Sequence, residues 1–283
     1  PQKGKCCRPM TKTQKVIMVC IVVALIIGGV VAICLSLFLK KKENPITVKN
    51  INVTLIGETY PDGQRITAVA LDFLIDGNQE ITVDNEKLSN SHFSIPERNI
   101  TSIHSTSSLR NPHVSENGRY VIIELHPKDP GAPILERNDK IRYQGRKNVT
   151  YNIKQLENVQ LTSGEYLQKT DNVYTNDEDI NKAINLIVDD FVTETYINPN
   201  DPTKNLTYNI YIPESARNNP KSNKKYPLLL FMHDASVMCN DTRMTLFQGV
   251  GATVWATKED QQKREAFVVA PCFTETIVND SFM

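Results

Sequence analysis

The stretch "KKYPLLLFMHDASVMCND" at 224–241 concentrates side chains able to do chemistry. Its apolar run, Tyr226–Met232, stops abruptly at His233-Asp234-Ala235-Ser236. Three readings compete. An imidazole beside a carboxylate suggests a metal, but adjacent residues point in different directions. The other four histidines, His92, His104, His113 and His126, lack helical or finger-like ligand spacing, so neither a metal nor a cofactor is expected. A plain exit from a strand, with His233 bonded to nearby backbone, is the usual fate of a lone histidine. The third reading is a bend whose backbone N–H groups face a reacting carbonyl and stabilise the negative charge that acyl transfer builds. On the tetrapeptide alone the plain exit is favoured, and the third reading comes from the resemblance of the wider segment to a known family.

The elements around it must position that bend. Tyr226–Met232 and Phe267-Val268-Val269-Ala270 are strands, the second closed by Pro271-Cys272. Between them Thr242 caps an expected helix, with Leu246, Val250 and Val254 at spacing four and Phe247 flanking them. Upstream, "DDFVTETYI" and "LTYNIYIP" form a hairpin across the turn-rich "NPNDPTK". A hairpin, then strand, helix and strand, predicts a sheet with a parallel pair and a crossover helix. Apolar runs without alternation fit parallel strands covered on both faces. Cys239 and Cys272 follow the two expected parallel strands at one sheet edge, so a disulfide between them is one option where the surroundings are oxidising, beside two free thiols. "GVG" at 249–251 falls inside the expected helix and lacks a third glycine, which argues against a dinucleotide site.

Residues 46–156 read differently. Ile51, Val53 and Leu55, then Val69, Leu71, Phe73 and Ile75, then Val121, Ile123 and Leu125 alternate with polar neighbours. Period two means strands with one buried face. Pro61-Asp62-Gly63, Asp76-Gly77-Asn78 and Asn117-Gly118 punctuate them, and short runs near Ile141–Tyr143 and Val149–Ile153 complete an immunoglobulin-like β-sandwich without an intersheet disulfide. Residues 157–188 are expected to be a linker with a short helix begun by Asn176 or Asp177, carrying Ile180, Ile184 and Ile187. "TNDEDIN" lacks the glycine and late glutamate of an EF-hand.

Charge is split along the chain. Residues 1–42 hold eight basic side chains and no acidic one, leaving 32 acidic against 24 basic in the rest. That balance excludes nucleic acid as a partner of the main body. Val16–Leu39 is uncharged over 24 residues, where roughly 20 apolar residues span a bilayer. A cleaved signal peptide would have an apolar core of about 7–15 residues and a small-x-small site, whereas this run is longer and ends in Lys40-Lys41-Lys42. A lipoprotein would need a small residue before Cys34, where Ile33 stands. The reading is a transmembrane helix at 16–39 in the lipid bilayer. Lys3, Lys5, Arg8, Lys12 and Lys15 make 1–15 a cytoplasmic basic tail and put the C-terminal domains outside the cell. Cys6 and Cys7 are thiols on the cytoplasmic flank, open to acylation, and Cys20 and Cys34 lie within the anchor. Sequons at Asn52, Asn99, Asn148, Asn205, Asn240 and Asn279 have meaning in a eukaryotic secretory pathway alone.

"LTYNIYIPES", "KKYPLLLFMHDAS" and "GVGATVWATKEDQQKREAFVVAPCF", in that order, resemble the start of an α/β-hydrolase. The match is to the bacterial esterase and peptidase group in which an immunoglobulin-like domain precedes the catalytic domain. In that group a strand ends in His-Gly or His-Asp, a helix with Gly-Ala-x-x-Trp follows, and the next strand ends in Ala-Pro. "GATVW" at 251–255 is the most specific piece. The resemblance covers 190–283 closely and 46–156 through domain order. It implies that 189–283 is the N-terminal portion of a hydrolase domain, a partial α/β unit. His233, Asp234, Ala235 and Ser236 would be the oxyanion loop, with the Ala235 N–H as donor and His233 as an orienter rather than a base. Gly is frequent in the family where Asp234 stands, and a carboxylate there must turn away from a developing anion. No Gly-x-Ser-x-Gly occurs, so the nucleophile, acid and histidine are expected beyond Met283. The chain then reads as the N-terminal fragment of a membrane-anchored extracellular serine hydrolase, of carboxylesterase or peptidase type, for an ester or peptide substrate. The alternative is a non-enzymatic, membrane-anchored binding or adhesion ectodomain, or a degenerate hydrolase. Either way an exposed sheet edge and uncovered apolar faces are expected.

Overall fold

The structure is a computed structural model that describes residues 12, 44–75, 80–138, 143–201, 203–234, 237 and 241–273. The expected anchor, 16–39, lies outside these residues, as do Cys6, Cys7, Cys20, Cys34 and the Asp76-Gly77-Asn78 turn. Among the described residues no helix is long and apolar enough to cross a membrane. The chain divides into two compact units, Pro1–Asn44 and Pro45–Met283. The second contains a β-sandwich lobe followed by an α/β lobe.

The sandwich is built on a long hairpin, Val48–Tyr60 and Gly63–Ile75, turned at Pro61-Asp62. Tyr120–Leu125 and Ile100–Thr106 extend it on one side, giving four antiparallel strands. Ile184–Asn185 joins the other edge in parallel, pairing with Ile56 and Gly57. The alternating residues do what their period predicts. Ile51, Leu55, Val69, Leu71, Phe73, Val121 and Ile123 are buried against Phe93, Ile153, Val159, Leu167 and Tyr174 from smaller facing sheets. Burying each of these large apolar side chains is worth about 1.5–3 kcal/mol, which offsets the ordering of the strands. Ile56, Ala68, Ala70 and Ile122 pack a second, smaller cluster on the other face.

Residues 157–188 are not a linker with a short helix. They supply strands Val159–Gln160, Tyr166–Leu167, Val173–Thr175 and Ile184–Asn185, plus 3-10 turns Ile180–Lys182 and Val188–Asp190. The isoleucines at helical spacing have separate destinations. Ile180 is in the sandwich core, Ile184 pairs with Ile56, and Ile187 has φ 68°, which no α-helix accommodates. Asp179, not Asn176 or Asp177, caps the first turn by accepting from Asn181 N–H at 3.0 Å.

In the α/β lobe the strand order is Val192–Tyr196, Leu206–Tyr211, Phe267–Cys272, Leu228–Leu230. The first three neighbours are antiparallel and the last pair parallel. One face is packed: Val268, Ala270, Met244, Leu246 and Phe247 are buried together with half-buried Leu229 and Phe231. Asn209, fully buried on this face, donates to Thr242 O at 2.8 Å and Thr245 Oγ1 at 3.0 Å.

The other face corrects the expectation of strands covered on both sides. Val192, Ile210, Val269 and Leu230 stand in register as one apolar row across all four strands. Leu228 and Leu230 on the edge strand are 67% and 59% exposed. The crossover also differs. The helix is Met244–Phe247, four residues capped at Arg243 rather than Thr242, followed by a 3-10 turn at Thr253–Ala256 where Val254 is exposed. Two glycines explain the break. A Cβ on Gly249 would meet Pro61 O at 3.0 Å, and one on Gly251 would meet the Phe231 ring at 2.1 Å. The chain bends here so that its backbone can pass close to the sandwich hairpin and to the strand beneath.

Candidate functional site

The parallel ladder continues past Leu230, with Phe231 N–H donating to Val269 O at 2.8 Å. His233 then leaves the sheet half-buried, and Asp234 is exposed. The Phe273 N–H donates to His233 Nε2 at 3.0 Å. Nε2 is therefore the acceptor, so Nδ1 carries the proton and donates to Asp234 O at 2.7 Å. The ring also lies 5.6 Å from the Phe273 ring. His233 thus ties the exit of one strand to the exit of its parallel neighbour. Val237, buried in the lobe's core, returns its N–H to Asp234 O at 3.2 Å and closes the turn. Ala235, Ser236 and Cys239 lie outside the described residues. Cys272, at the same edge, is disulfide-bonded.

Asp241 is a second anchor, one that has no sequence signature. Asp241 Oδ1 accepts from Arg243 N–H at 2.9 Å, and its carbonyl accepts from Met244 N–H at 2.9 Å. Its carboxylate is 3.7 Å from Arg146 and 3.8 Å from Arg243, and Arg243 also reaches Asp189 at 3.7 Å. Arg146 belongs to strand Tyr143–Arg146 of the sandwich. Thr59 Oγ1 donates to Leu246 O at 3.3 Å, a further bond between the lobes.

The remaining histidines are placed away from this edge. His92 sits with Ser89, and His104 with Pro112 O. His113 lies between Glu124 at 2.8 Å and Glu58 at 3.5 Å. Its bonds to Glu124 and then Glu58 push its pKa up to about 10, and His113 in turn pulls Glu58 below the usual carboxylate range. His113 and Glu58 border a cleft of about 1530 Å³ between the lobes, whose other wall includes Tyr211, Lys258 and Glu265. Tyr211 pairs with Val268 and Glu265 precedes Phe267, so the cleft opens at the end of that strand opposite His233. Among the described residues no three His, Cys, Asp or Glu side chains converge as a metal site. Two of the three carboxylates of "TNDEDIN" are already engaged, Asp177 with Lys182 and Asp179 as a cap.

Comparison with known proteins agrees with this architecture. Residues 52–168 match the esterase Ig-like N-terminal domain. No curated protein matches the chain. A solved structure described as a thermostable esterase superposes with a TM-score of 0.66 at 24% identity, covering 82% of this chain. The chain spans about 60% of that esterase's length. The chain therefore has an esterase-like fold with an immunoglobulin-like domain at its N-terminal side.

Proposed function

We propose that this chain is the N-terminal part of a membrane-anchored serine hydrolase, of carboxylesterase or peptidase type, facing the outside of the cell. The observation that carries the reading is the His233 clip. A solitary strand exit needs no bond to a neighbouring strand, yet Nε2 takes the Phe273 N–H and locks the bend at the C-terminal edge of two parallel strands. That is where open α/β sheets place their sites. With both ring nitrogens on backbone, His233 orients the bend, and the Ala235 N–H is the proposed oxyanion donor, acting on charge that appears in the transition state. Asp234 is exposed, which leaves its carboxylate within reach of solvent. The sequence holds no Gly-x-Ser-x-Gly, so the nucleophile, acid and base belong to a part of the longer protein not represented in these residues. The apolar row Val192–Ile210–Val269–Leu230 is the surface such a part would cover. The uncharged run 16–39 with its flanking lysines supports the anchor, and Cys239 is the proposed partner of Cys272.

The test uses the complete reading frame. Labelling by a fluorophosphonate probe, together with turnover of a short-chain chromogenic ester, is the expected result, because labelling demands an activated serine. A full-length product that never labels refutes the proposal and leaves a binding or adhesion module.

A further inference from the structure

Taking a guanidinium out of water is costly, and replacing a buried ion pair by apolar residues of similar volume is often neutral or stabilising. The Arg146 side chain is 3% exposed. Its contacts are divided between the lobes. One terminal nitrogen donates to Asn181 Oδ1 within the sandwich and faces the Asp241 carboxylate at 3.7 Å. Cζ lies 4.1 Å from the centre of the Phe247 ring. The other terminal nitrogen is buried and has no hydrogen-bond partner among the described residues. Arg243 approaches the same ring at 5.5 Å, so two like charges crowd one aromatic side chain.

Packing alone does not account for this choice, since an apolar chain would fill the space over Phe247. What the charge adds is direction. It fixes Asp241, the residue that turns the chain into helix Met244–Phe247. Phe273 thus holds His233, and Arg146 faces Asp241.

We propose that Arg146 is a positioning residue through which the sandwich lobe fixes Asp241 and Phe247, and with them helix Met244–Phe247. Its consequence for catalysis rests on the hydrolase reading, but the positioning does not.

Amide hydrogen exchange on the chain tests it with Arg146→Met, Arg146→Lys and Asp241→Asn. Arg146→Met should speed exchange at 241–247 roughly ten-fold, while strand Tyr120–Leu125 and the unfolding midpoint stay unchanged. Arg146→Lys should rescue part of the effect. Asp241→Asn, at a half-exposed site that tolerates substitution, should reproduce it, and the Arg146→Met/Asp241→Asn double variant should be no faster than either single. Unchanged exchange at 241–247 overturns the proposal. So does a uniform rise across both lobes with a lower midpoint, which would make Arg146 a general stability residue. In the complete enzyme Arg146→Met should lower kcat with KM unchanged. A wild-type protein that never labels refutes the hydrolase reading and leaves the exchange result to decide this one.

Discussion

Gly251 is the residue of "GATVW" whose role the structure explains most directly, and Gly251→Ala tests the explanation. The added Cβ would stand 2.1 Å from Phe231 Cε2, 2.7 Å from Cζ and 3.0 Å from Cδ2. Ordinary carbon contacts lie at about 3.5–4.0 Å, so the ring would have to retreat by about 1.5 Å. It has little room, because the Phe231 backbone is bonded to Val269 O and the ring packs on the buried cluster around Leu246 and Val268. Gly251 does not have a positive φ, so the alanine brings no backbone strain, and its cost reports the collision less about 0.4–1 kcal/mol gained because alanine restricts the unfolded chain. Overpacking of this kind costs about 1–3 kcal/mol. Urea unfolding should show a midpoint lowered by roughly 1 M at unchanged slope. Phe231→Ala opens the space that the methyl needs. The double variant should therefore be more stable than the sum of the singles by about 1–2 kcal/mol. If Gly251→Ala stays within about 0.5 kcal/mol of wild type, or the two changes simply add, the close-approach argument is wrong.

Three further outcomes follow from groups already described. The raised pKa of His113 means its stabilisation is full below its ordinary value and is lost as pH climbs through about 10. At this half-exposed site solvent screening leaves roughly 1 kcal/mol, so His113→Gln should cost that much in mildly acidic buffer and nothing in strongly alkaline buffer; a pH-independent difference refutes the pairing. Arg98 and Asp129 form a buried pair at 3.2 Å, with Arg98 also bonded to Ile66 O and Tyr151. Burial pushes the Asp129 carboxyl up, but its bonds to Asn99 and Arg98 leave it below the usual range. Arg98→Met strands that carboxylate and should cost about 3–5 kcal/mol in chemical denaturation, against near zero if the pair is unimportant. Cys239→Ser and Cys272→Ser should each cost about 2–4 kcal/mol, with the double variant no worse than either, and free thiols titrated in the native wild type would exclude the pairing.

How much of this was legible depends on how far apart the contacting residues lie. The sandwich strands were readable because Val69, Leu71, Phe73 and Ile75 bury one side of a pleat, and a period of two survives any tertiary context. The hairpin Val192–Tyr196/Leu206–Tyr211 and the parallel pair Leu228–Leu230/Phe267–Cys272 were readable from runs bounded by turn residues, but the antiparallel pairing of Leu206–Tyr211 with Phe267–Cys272 was not. The helix through Leu246, Val250 and Val254 was not, because Gly249 and Gly251 answer to Pro61 and Phe231, and spacing along the chain carries no record of either. The stripe Ile180, Ile184, Ile187 misled in a related way: three apolar residues at helical intervals serve three different neighbours. Within the site, His233 announced itself by ending an apolar run. Its partner Phe273 follows an expected strand but carries no polar side chain to draw notice, since the donor is its backbone. Arg146 and Asp241 are joined across the lobes, and neither has a local pattern beyond a charge after a turn.

The short parallel strand Ile184–Asn185 has a mechanical meaning. It belongs to the sandwich's main sheet, and Val192 opens the next sheet after a single 3-10 turn. There is no slack between them. Asn185 N–H donates to Asp189 across that turn at 2.7 Å, so the splice is braced as well as brief. A pull on the second lobe would load the Ile184–Ile56 ladder in shear before any tether could stretch. A protease seeking a seam between the lobes would have to peel a strand from its sheet first.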